Sequence, residues 1–220
     1  MRHDVHPIDR SSLFTNGVPV SNIEGLINAE TIDFTKPEEQ AKFSNKEVYR
    51  SEEIFGQYTN LSDYINCPVE MAFDYAANVF SLEEYTASLR DFRHVGAGVY
   101  RALDKLSPDT YIYLKIEAYP ESGVVDYLCA WDQGHELWMR YHFRFLDAMK
   151  TIKKPGTIVL WNNCRHPYYD RSEDAPEYVA GPRARKDRLW VGDFWNSFYT
   201  GHLIETQNMK KILEARFTAG

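Results

Sequence analysis

The sequence predicts an α+β fold in which an antiparallel sheet of about six strands precedes one long C-terminal helix. Short segments with a period of two residues fill the middle of the chain, and a helical period of about 100° per residue runs through its last part. The turn compositions SPD, PESG, QGH and KKPG separate the short segments. Strands spaced this closely leave no room for parallel crossovers, so the sheet is antiparallel.

The first predicted strand is GQYTNLSDYINC, which begins at Gly56. Two short helices are predicted after it, because Pro68 suits the first turn of a helix and SLEEY has the pattern of a capping box, in which Ser81 reaches toward Glu84. Five more strands are predicted after RHVGAG, in GVYRALDKL, TYIYLKIEAY, GVVDYLCAWD, ELWMRYHFRFLDAM and GTIVLWNNC. Together with the first strand they make the sheet of six.

The last predicted element is one amphipathic helix over 192–217, and its inward stripe carries polar side chains. Phe198 and Met209 fall on a narrow apolar stripe, and His202 and Glu205 fall inside the same stripe. Burying a charged group without a partner is costly, so a histidine and a carboxylate on the buried side of a helix indicate a purpose.

The chain divides into an N-terminal arm, residues 1–55, and a main domain, residues 56–220. Periodicity is weak in the arm, which is expected to lie on the main domain or on the partner subunit of a homodimer. A loop over 163–188 precedes the last helix, and connections longer than ~12–15 residues are often functional. Its tyrosines favour a lid over a pocket. Asp187 is the predicted N-cap of a helix that starts near Leu189.

Composition argues against several classes of protein. The 220 residues, 44% of them hydrophobic, suffice for one sizeable core. A net charge of −7 and the lack of a long basic run argue against nucleic-acid binding. The three cysteines show no metal-ligand spacing, and their odd number is typical of reduced thiols in a cytoplasm. With no signal-peptide pattern and no apolar run near ~18 residues, we expect a soluble cytoplasmic protein without membrane association.

This order of elements resembles the helix-grip layout of the START-like superfamily, also called SRPBCC or Bet v 1-like. The resemblance covers residues 56–217 and is carried by INCPVEMAFDYAANVFSLEEY and by the closing LWVGDFWNSFYTGHLIETQNMKKILEARF. The pattern I-x-x-P-x-x-x-F, common in polyketide-cyclase-like members, sits at Ile65, Pro68 and Phe73, with the aromatic residue one place later than usual. The resemblance implies a curved sheet around the last helix and a ligand cavity between them.

His202 and Glu205 are the leading candidates for chemistry in that cavity. They are three residues apart and therefore neighbours on one helical face. A carboxylate beside the imidazole would hold its tautomer and favour its protonated form, so His202 would act as general acid or base with Glu205 orienting it. The alternative is a satisfied structural pair near the rim of the core. His-x-x-Glu alone is weak evidence for a metal site, and we expect no metal.

The segment NNCRHPYYD is the second candidate, because it follows an apolar strand where the loop begins. His166, Tyr168 and Tyr169 would enter the cavity mouth, and His166 and Tyr168 would donate to a developing oxyanion. Asn162 and Asn163 offer amides for a carbonyl. The alternative is a loop whose aromatic residues only pack it down.

The strand around ELWMRYHFRF has two distinct faces at a period of two. One face holds Leu137, Met139, Tyr141, Phe143 and Phe145, and the other holds Trp138, Arg140, His142 and Arg144. We favour the apolar set as the inward one, and the alternative is an Arg/His-lined pocket for an anionic substrate. The aromatic residues expected to line the cavity wall are Tyr113, Tyr127, Trp131, Tyr141, Trp161, Trp195 and Phe198.

The leading functional hypothesis is an enzyme of the cyclase/aromatase kind, a lyase or isomerase of secondary metabolism. It would bind an apolar or aromatic, polyketide-like molecule and catalyse cyclisation, dehydration or a related rearrangement by acid/base chemistry, without a cofactor. The first alternative is a non-catalytic carrier or sensor of a hydrophobic small molecule. The second is a structural dimer whose aromatic faces form the interface.

Overall fold

The computed structural model describes residues 18–26, 58–106, 110–131, 136–169 and 190–219. Most of the predicted arm, most of the predicted lid over 163–188 and the predicted cap Asp187 therefore lie outside the described residues. The described part of the arm lies on the main domain, because Leu26 is buried in the core and the carbonyl of Gly25 accepts a hydrogen bond from Lys211. None of the helices in the described ranges is long and apolar enough to cross a membrane.

Seven strands form one antiparallel sheet in the order β1-β7-β6-β5-β4-β3-β2. Their bounds are β1 Tyr58–Ile65, β2 Leu89–Gly96, β3 Val99–Asp104, β4 Tyr111–Tyr119, β5 Val124–Trp131, β6 Met139–Asp147 and β7 Thr157–Cys164. The described α-helices are α1 Val69–Ala77, α2 Ser81–Tyr85, α3 Ala148–Ile152 and α4 Trp195–Ala219. Short 3₁₀ turns occupy Val20–Asn22, Pro120–Ser122, Pro167–Tyr169 and Val191–Phe194. The antiparallel sheet and the long last helix confirm the predicted α+β helix-grip fold.

The prediction of about six strands missed β2. Its sequence, LRDFRHVG, does not alternate: Phe92 is its one buried residue, and Asp91 has a positive φ of 59°. The pairing with β3 shifts between Arg90 and Arg93, and such an irregularity changes which side chains face inward. The strand therefore lacks the period by which strands are found in a sequence.

The predicted orientation of β6 is confirmed. Met139, Tyr141, Phe143 and Phe145 are buried, and Leu137, which precedes the strand, is half-buried. Arg140, His142 and Arg144 are exposed and do not line the interior, and His142 and Arg144 instead line an open pocket on the outer face of the sheet. Trp138 does not share the face of these basic residues as predicted. It precedes the strand, is only 4% exposed and packs its ring against that of Tyr169 at 4.8 Å.

The capping box predicted for α2, with Ser81 reaching toward Glu84, is not formed, and Glu84 instead forms a buried ion pair with the C-terminal half of α4. The Ser81 hydroxyl donates to the carbonyl of Asn78 at 2.8 Å. Glu84 accepts two hydrogen bonds from the Arg216 guanidinium, each 2.8 Å, and a third of 2.8 Å from the Tyr75 hydroxyl. These bonds fix α4 against α1 and α2 on one side of the sheet.

Candidate functional site

The inward face of α4 is closely packed at both ends and less well covered in the middle. Trp195 is 2% exposed and Met209 is fully buried, whereas Phe198, His202 and Glu205 between them are half-buried. The middle of the helix therefore keeps some accessible surface, at the level of the residues that the sequence marks as polar.

His202 lies among aromatic rings. Its imidazole stacks on Trp161 with a centroid distance of 4.5 Å, and the rings of Tyr141 and Phe198 are each 5.3 Å away. The ring as a whole is half-buried, but its Nδ1 atom is fully shielded and has no hydrogen-bond partner among the described residues. Burial lowers the pKa of His202 to about 3, so the imidazole is neutral near pH 7.

Glu205 does not orient His202, and this part of the prediction is wrong. The Glu205 Oε1 atom accepts a hydrogen bond of 3.0 Å from the backbone N–H of Ala87, which lies between α2 and β2. Burial raises the pKa of Glu205 to about 7, the Ala87 bond opposes the shift, and the nearby carboxylate of Asp104 adds to it. His202 and Glu205, one turn apart on the same face of the helix, therefore contact different parts of the protein.

Buried polar atoms without partners concentrate around His202. β7 places Trp161 and Asn163 on its inward face, because they are two residues apart. The Trp161 Nε1 atom, both amide atoms of Asn163, the Tyr169 hydroxyl and the His202 Nδ1 atom have no hydrogen-bond partner within the described ranges. We call Trp161, Asn163, Tyr169 and His202 the polar cluster. Leaving such a group unpaired costs about 1–3 kcal/mol, so four in one place are unusual for a structural core.

Tyr141 lies at the centre of this cluster. It is directly opposite Asn163 in the β6–β7 register. The Tyr141 hydroxyl and the Asn163 amide lie close enough to the Tyr169 hydroxyl to lower the pKa of Tyr169, but their geometry is short of a full hydrogen bond. Burial is the main cause that raises the pKa of Tyr141, and the nearby Tyr169 is the second. The charge of Glu205 acts in the same direction. Glu205 is therefore an electrostatic neighbour of the cluster.

His166 and Tyr168 form a local turn beside Trp138. The His166 Nδ1 atom accepts a hydrogen bond of 3.1 Å from the backbone N–H of Tyr168, and its ring is 5.4 Å from that of Trp138. Burial lowers the pKa of His166. Tyr169, the next residue, contacts Trp195 at 5.0 Å. The segment does reach the interior, but through Tyr169, and a catalytic role for His166 and Tyr168 stays a prediction.

The predicted wall residues divide into three groups. Tyr141, Trp161 and Phe198 contact His202, and Trp195 packs on Phe198 at 5.3 Å.

Tyr127 and Trp131 are buried with their polar atoms already paired. The Tyr127 hydroxyl donates to the carbonyl of Ala76 at 2.6 Å, and the Trp131 indole donates to Asp104 at 3.1 Å.

Tyr113 is on the outer face of the sheet, because its neighbour Ile112 faces inward opposite Trp131, so its prediction as a wall residue is wrong. Among the described residues, no three potential metal ligands come together.

The pKa values of Glu205 and His202 predict opposite effects on stability. In the folded protein Glu205 keeps its proton up to about pH 7, whereas in the unfolded chain an ordinary carboxyl group loses it near pH 4.5. The free energy of unfolding therefore falls as the pH rises from 4.5 to about 7. His202 stays neutral in the folded protein, whereas in the unfolded chain it gains a proton below its ordinary pKa of 6.5. Its contribution to the free energy of unfolding is therefore complete above pH 6.5 and is lost as the pH falls toward 3.

We expect Glu205→Gln to be more stable than the wild type at about pH 8, with a smaller advantage at about pH 5. Urea unfolding at both pH values measures the difference. A difference that does not change with pH would mean that Glu205 has an ordinary pKa in the folded protein.

No protein-family model matches this chain, and no curated protein matches it. Solved structures resemble it. The Aha1 dimer from Colwellia psychrerythraea is 13% identical with a TM-score of 0.47, over 71% of this chain and 96% of that one. The Zhui aromatase/cyclase from a Streptomyces species is 14% identical with a TM-score of 0.44, over 73% of this chain and 91% of that one. DynU16, a protein of the dynemicin biosynthetic locus, is 7% identical with a TM-score of 0.46, over 74% of this chain and 49% of that one.

Identities and TM-scores this low carry no inference about substrate or activity. The architecture stands on this chain's own strand order, with β7 paired to β1, and on the burial of the inward face of α4. The chain has a helix-grip fold.

Proposed function

We propose that this protein binds an uncharged, apolar or aromatic, polyketide-like molecule between α4 and the sheet, and that the polar cluster hydrogen-bonds oxygen atoms of that molecule. The observation that carries the proposal is the set of unpartnered polar atoms inside a wall of aromatic rings. A ligand with carbonyl or hydroxyl groups would satisfy these atoms, and its flat apolar body would pack on Trp161 and Phe198.

The expected ligand is uncharged because the cluster is uncharged. His202 is neutral near pH 7, since burial lowers its pKa to about 3, and burial also keeps Tyr169 neutral by raising its pKa. An anionic ligand would lose its hydration without gaining a cationic partner from these side chains.

We further propose that the protein catalyses a cyclisation, dehydration or related rearrangement of this molecule, without an organic cofactor. Glu205, with a pKa raised to about 7, is better suited to exchange protons near neutral pH than His202. Its carboxylate would take a proton from a carbon beside a ligand carbonyl, and donors of the polar cluster would stabilise the resulting enolate oxygen. The enolate carbon would then bond to a second carbonyl carbon, whose oxygen takes the proton back from Glu205. Loss of water would complete a dehydration.

A carrier or sensor is the second candidate. The hydrogen bond from Ala87 gives the Glu205 carboxyl group a structural role, and that role needs no proton exchange with a ligand. Native mass spectrometry of the purified protein, followed by extraction, would identify a co-purified molecule. An enzyme converts its substrate and Glu205→Gln abolishes that conversion with little change in affinity, whereas a carrier returns the molecule unchanged.

Asn163→Leu tests the ligand site itself. Removing a buried unpartnered amide is expected to raise the free energy of unfolding by about 1–3 kcal/mol. The same change is expected to weaken binding of 1,8-dihydroxyanthraquinone, an uncharged aromatic probe with carbonyl and hydroxyl groups, by about tenfold or about 1.4 kcal/mol. Quenching of tryptophan fluorescence measures the affinity, and urea unfolding measures the stability.

Asn162→Leu is the matched control. Asn162 is the next residue on the same strand, but its amide donates to Asn60 and to the backbone carbonyl of Thr59 on the outer side of the sheet. We expect its replacement to leave probe affinity unchanged. If Asn163→Leu instead lowers stability and leaves affinity unchanged, Asn163 is structural and the proposed site is wrong.

A further inference from the structure

We propose that Trp190 is a positioning residue for the ligand site: its indole holds the backbone of Tyr169, and the Tyr169 hydroxyl is thereby placed in the polar cluster. Ligand affinity then depends on a side chain outside that cluster. This inference rests on the proposed ligand site and assigns a supporting residue to it.

Trp190 is itself firmly held in the core. It is 2% exposed, and its ring packs against Trp131 at 5.9 Å and stacks against Trp138 at 6.4 Å. Trp131 is fixed in turn by its hydrogen bond to Asp104. The backbone N–H of Trp190 donates to the carboxylate of Asp193 at 3.0 Å, which fixes the start of the turn before α4.

Trp190 acts on the backbone of Tyr169. Its Nε1 atom donates a hydrogen bond of 3.0 Å to the Tyr169 carbonyl, across 21 positions of sequence. Gly192 lies against the same carbonyl so closely that an added Cβ would be 1.6 Å from the oxygen. The Val191–Phe194 turn therefore rests directly on the Pro167–Tyr169 turn, with no room between them.

The opposite end of Tyr169 belongs to the ligand site. The ring is packed between Trp138, Trp195 and Phe198, at 4.8, 5.0 and 5.5 Å. The residue is 1% exposed, and its hydroxyl points toward Tyr141 and Asn163. A binding group must be held within about 0.5 Å of its productive position, so freedom of the Tyr169 backbone translates into lost affinity.

A double-mutant cycle tests this inference. Trp190→Phe removes the indole donor and keeps an aromatic ring, and we expect it to weaken binding of 1,8-dihydroxyanthraquinone by about fivefold to tenfold. Tyr169→Phe removes the hydroxyl and is expected to weaken binding as well. In the Tyr169→Phe background, Trp190→Phe should have almost no further effect on affinity. A purely structural role of Trp190 would give the same loss in both backgrounds and would overturn the inference.

Thr157→Val is the control, because it removes a buried side-chain hydrogen bond, of 2.8 Å to the backbone carbonyl of Cys67, that involves neither the polar cluster nor Trp190. It should leave probe affinity unchanged, and an equal loss in Thr157→Val and Trp190→Phe would count against a specific role of Trp190. A probe that binds the wild type and responds to Tyr169→Phe but not to Trp190→Phe overturns this inference alone. A wild type that does not bind the probe overturns the proposed ligand site together with it.

A second measurement uses the unmodified protein, in case Trp190→Phe does not fold. Because coupling between two sites is reciprocal, probe binding should slow hydrogen exchange of the Trp190 indole N–H. The backbone N–H of Phe145, which donates to the Gly123 carbonyl at 2.8 Å, serves as the reference. Equal exchange rates of Trp190 with and without the bound probe would overturn the inference.

Discussion

Gly192→Ala is expected to lower the free energy of unfolding by about 3 kcal/mol, the upper end of the usual cost of overpacking. An added Cβ would lie 1.6 Å from the Tyr169 carbonyl oxygen and 2.5 Å from its carbonyl carbon. Backbone atoms meet here, so no rotation of a side chain can relieve the contact. The two turns must separate, and the hydrogen bond from Trp190 to the Tyr169 carbonyl is expected to weaken with them. Urea unfolding measures the loss.

Gly201→Ala is the matched control, nine positions further along the chain. Gly201 lies within α4, and an added Cβ would meet nothing within 4 Å. Alanine in a helix interior is favoured over glycine by about 0.5–1 kcal/mol, so this variant should be more stable than the wild type. The same substitution thus has opposite signs at two glycines. Equal effects at both positions would show that the two turns are not in contact as described.

Arg216→Ala is expected to lower the free energy of unfolding by about 3–5 kcal/mol, because it leaves the Glu84 carboxylate buried without its cation. The side chains of the pair are each 8% exposed, and the two terminal guanidinium nitrogens are each 2.8 Å from a carboxylate oxygen. The guanidinium also lies 5.6 Å from the Tyr75 ring. The expected loss can be measured by urea unfolding near neutral pH.

Lys210→Ala on the same helix provides the comparison. Its ion pair with Asp63 has a similar length, 3.0 Å, but the two side chains are 30% and 26% exposed. A pair this accessible to water is worth about 0–1 kcal/mol. Replacing Glu84 and Arg216 together by leucine and methionine should recover much of the loss, because no unpaired charge remains. If Arg216→Ala costs no more than Lys210→Ala, Glu84 is not desolvated as the structure shows.

Elements with a regular period could be predicted from the sequence. The alternation in β6 separates buried Tyr141 and Phe143 from exposed Arg140 and His142, and the helical stripe of α4 contains the residues that face the sheet. These patterns are local, because the same backbone geometry repeats at every residue. β2 was missed for the complementary reason: the positive φ of Asp91 and the shifted register remove the period.

Part of the candidate site was visible in the sequence as well. The alternation of TIVLWNNC places Trp161 and Asn163 on one face of β7 and Asn162 on the other, and Tyr169 lies within the segment that was expected to enter the cavity. The sequence does not show that Tyr169, and not His166 or Tyr168, would carry an unpaired hydroxyl into the interior. That outcome depends on the turn at Pro167 and on its contact with Gly192.

The sequence by itself determined the fold class, the order of most elements, the inward face of β6 and the presence of polar side chains on the buried face of the last helix. Only the tertiary structure decided what those polar groups do. His202 and Glu205 are neighbours at helical spacing, yet the carboxylate bonds to Ala87 and the imidazole stacks on Trp161. The physical reason is that spacing fixes the position of a side chain's base, whereas its partner and pKa depend on whatever distant elements bring beside it.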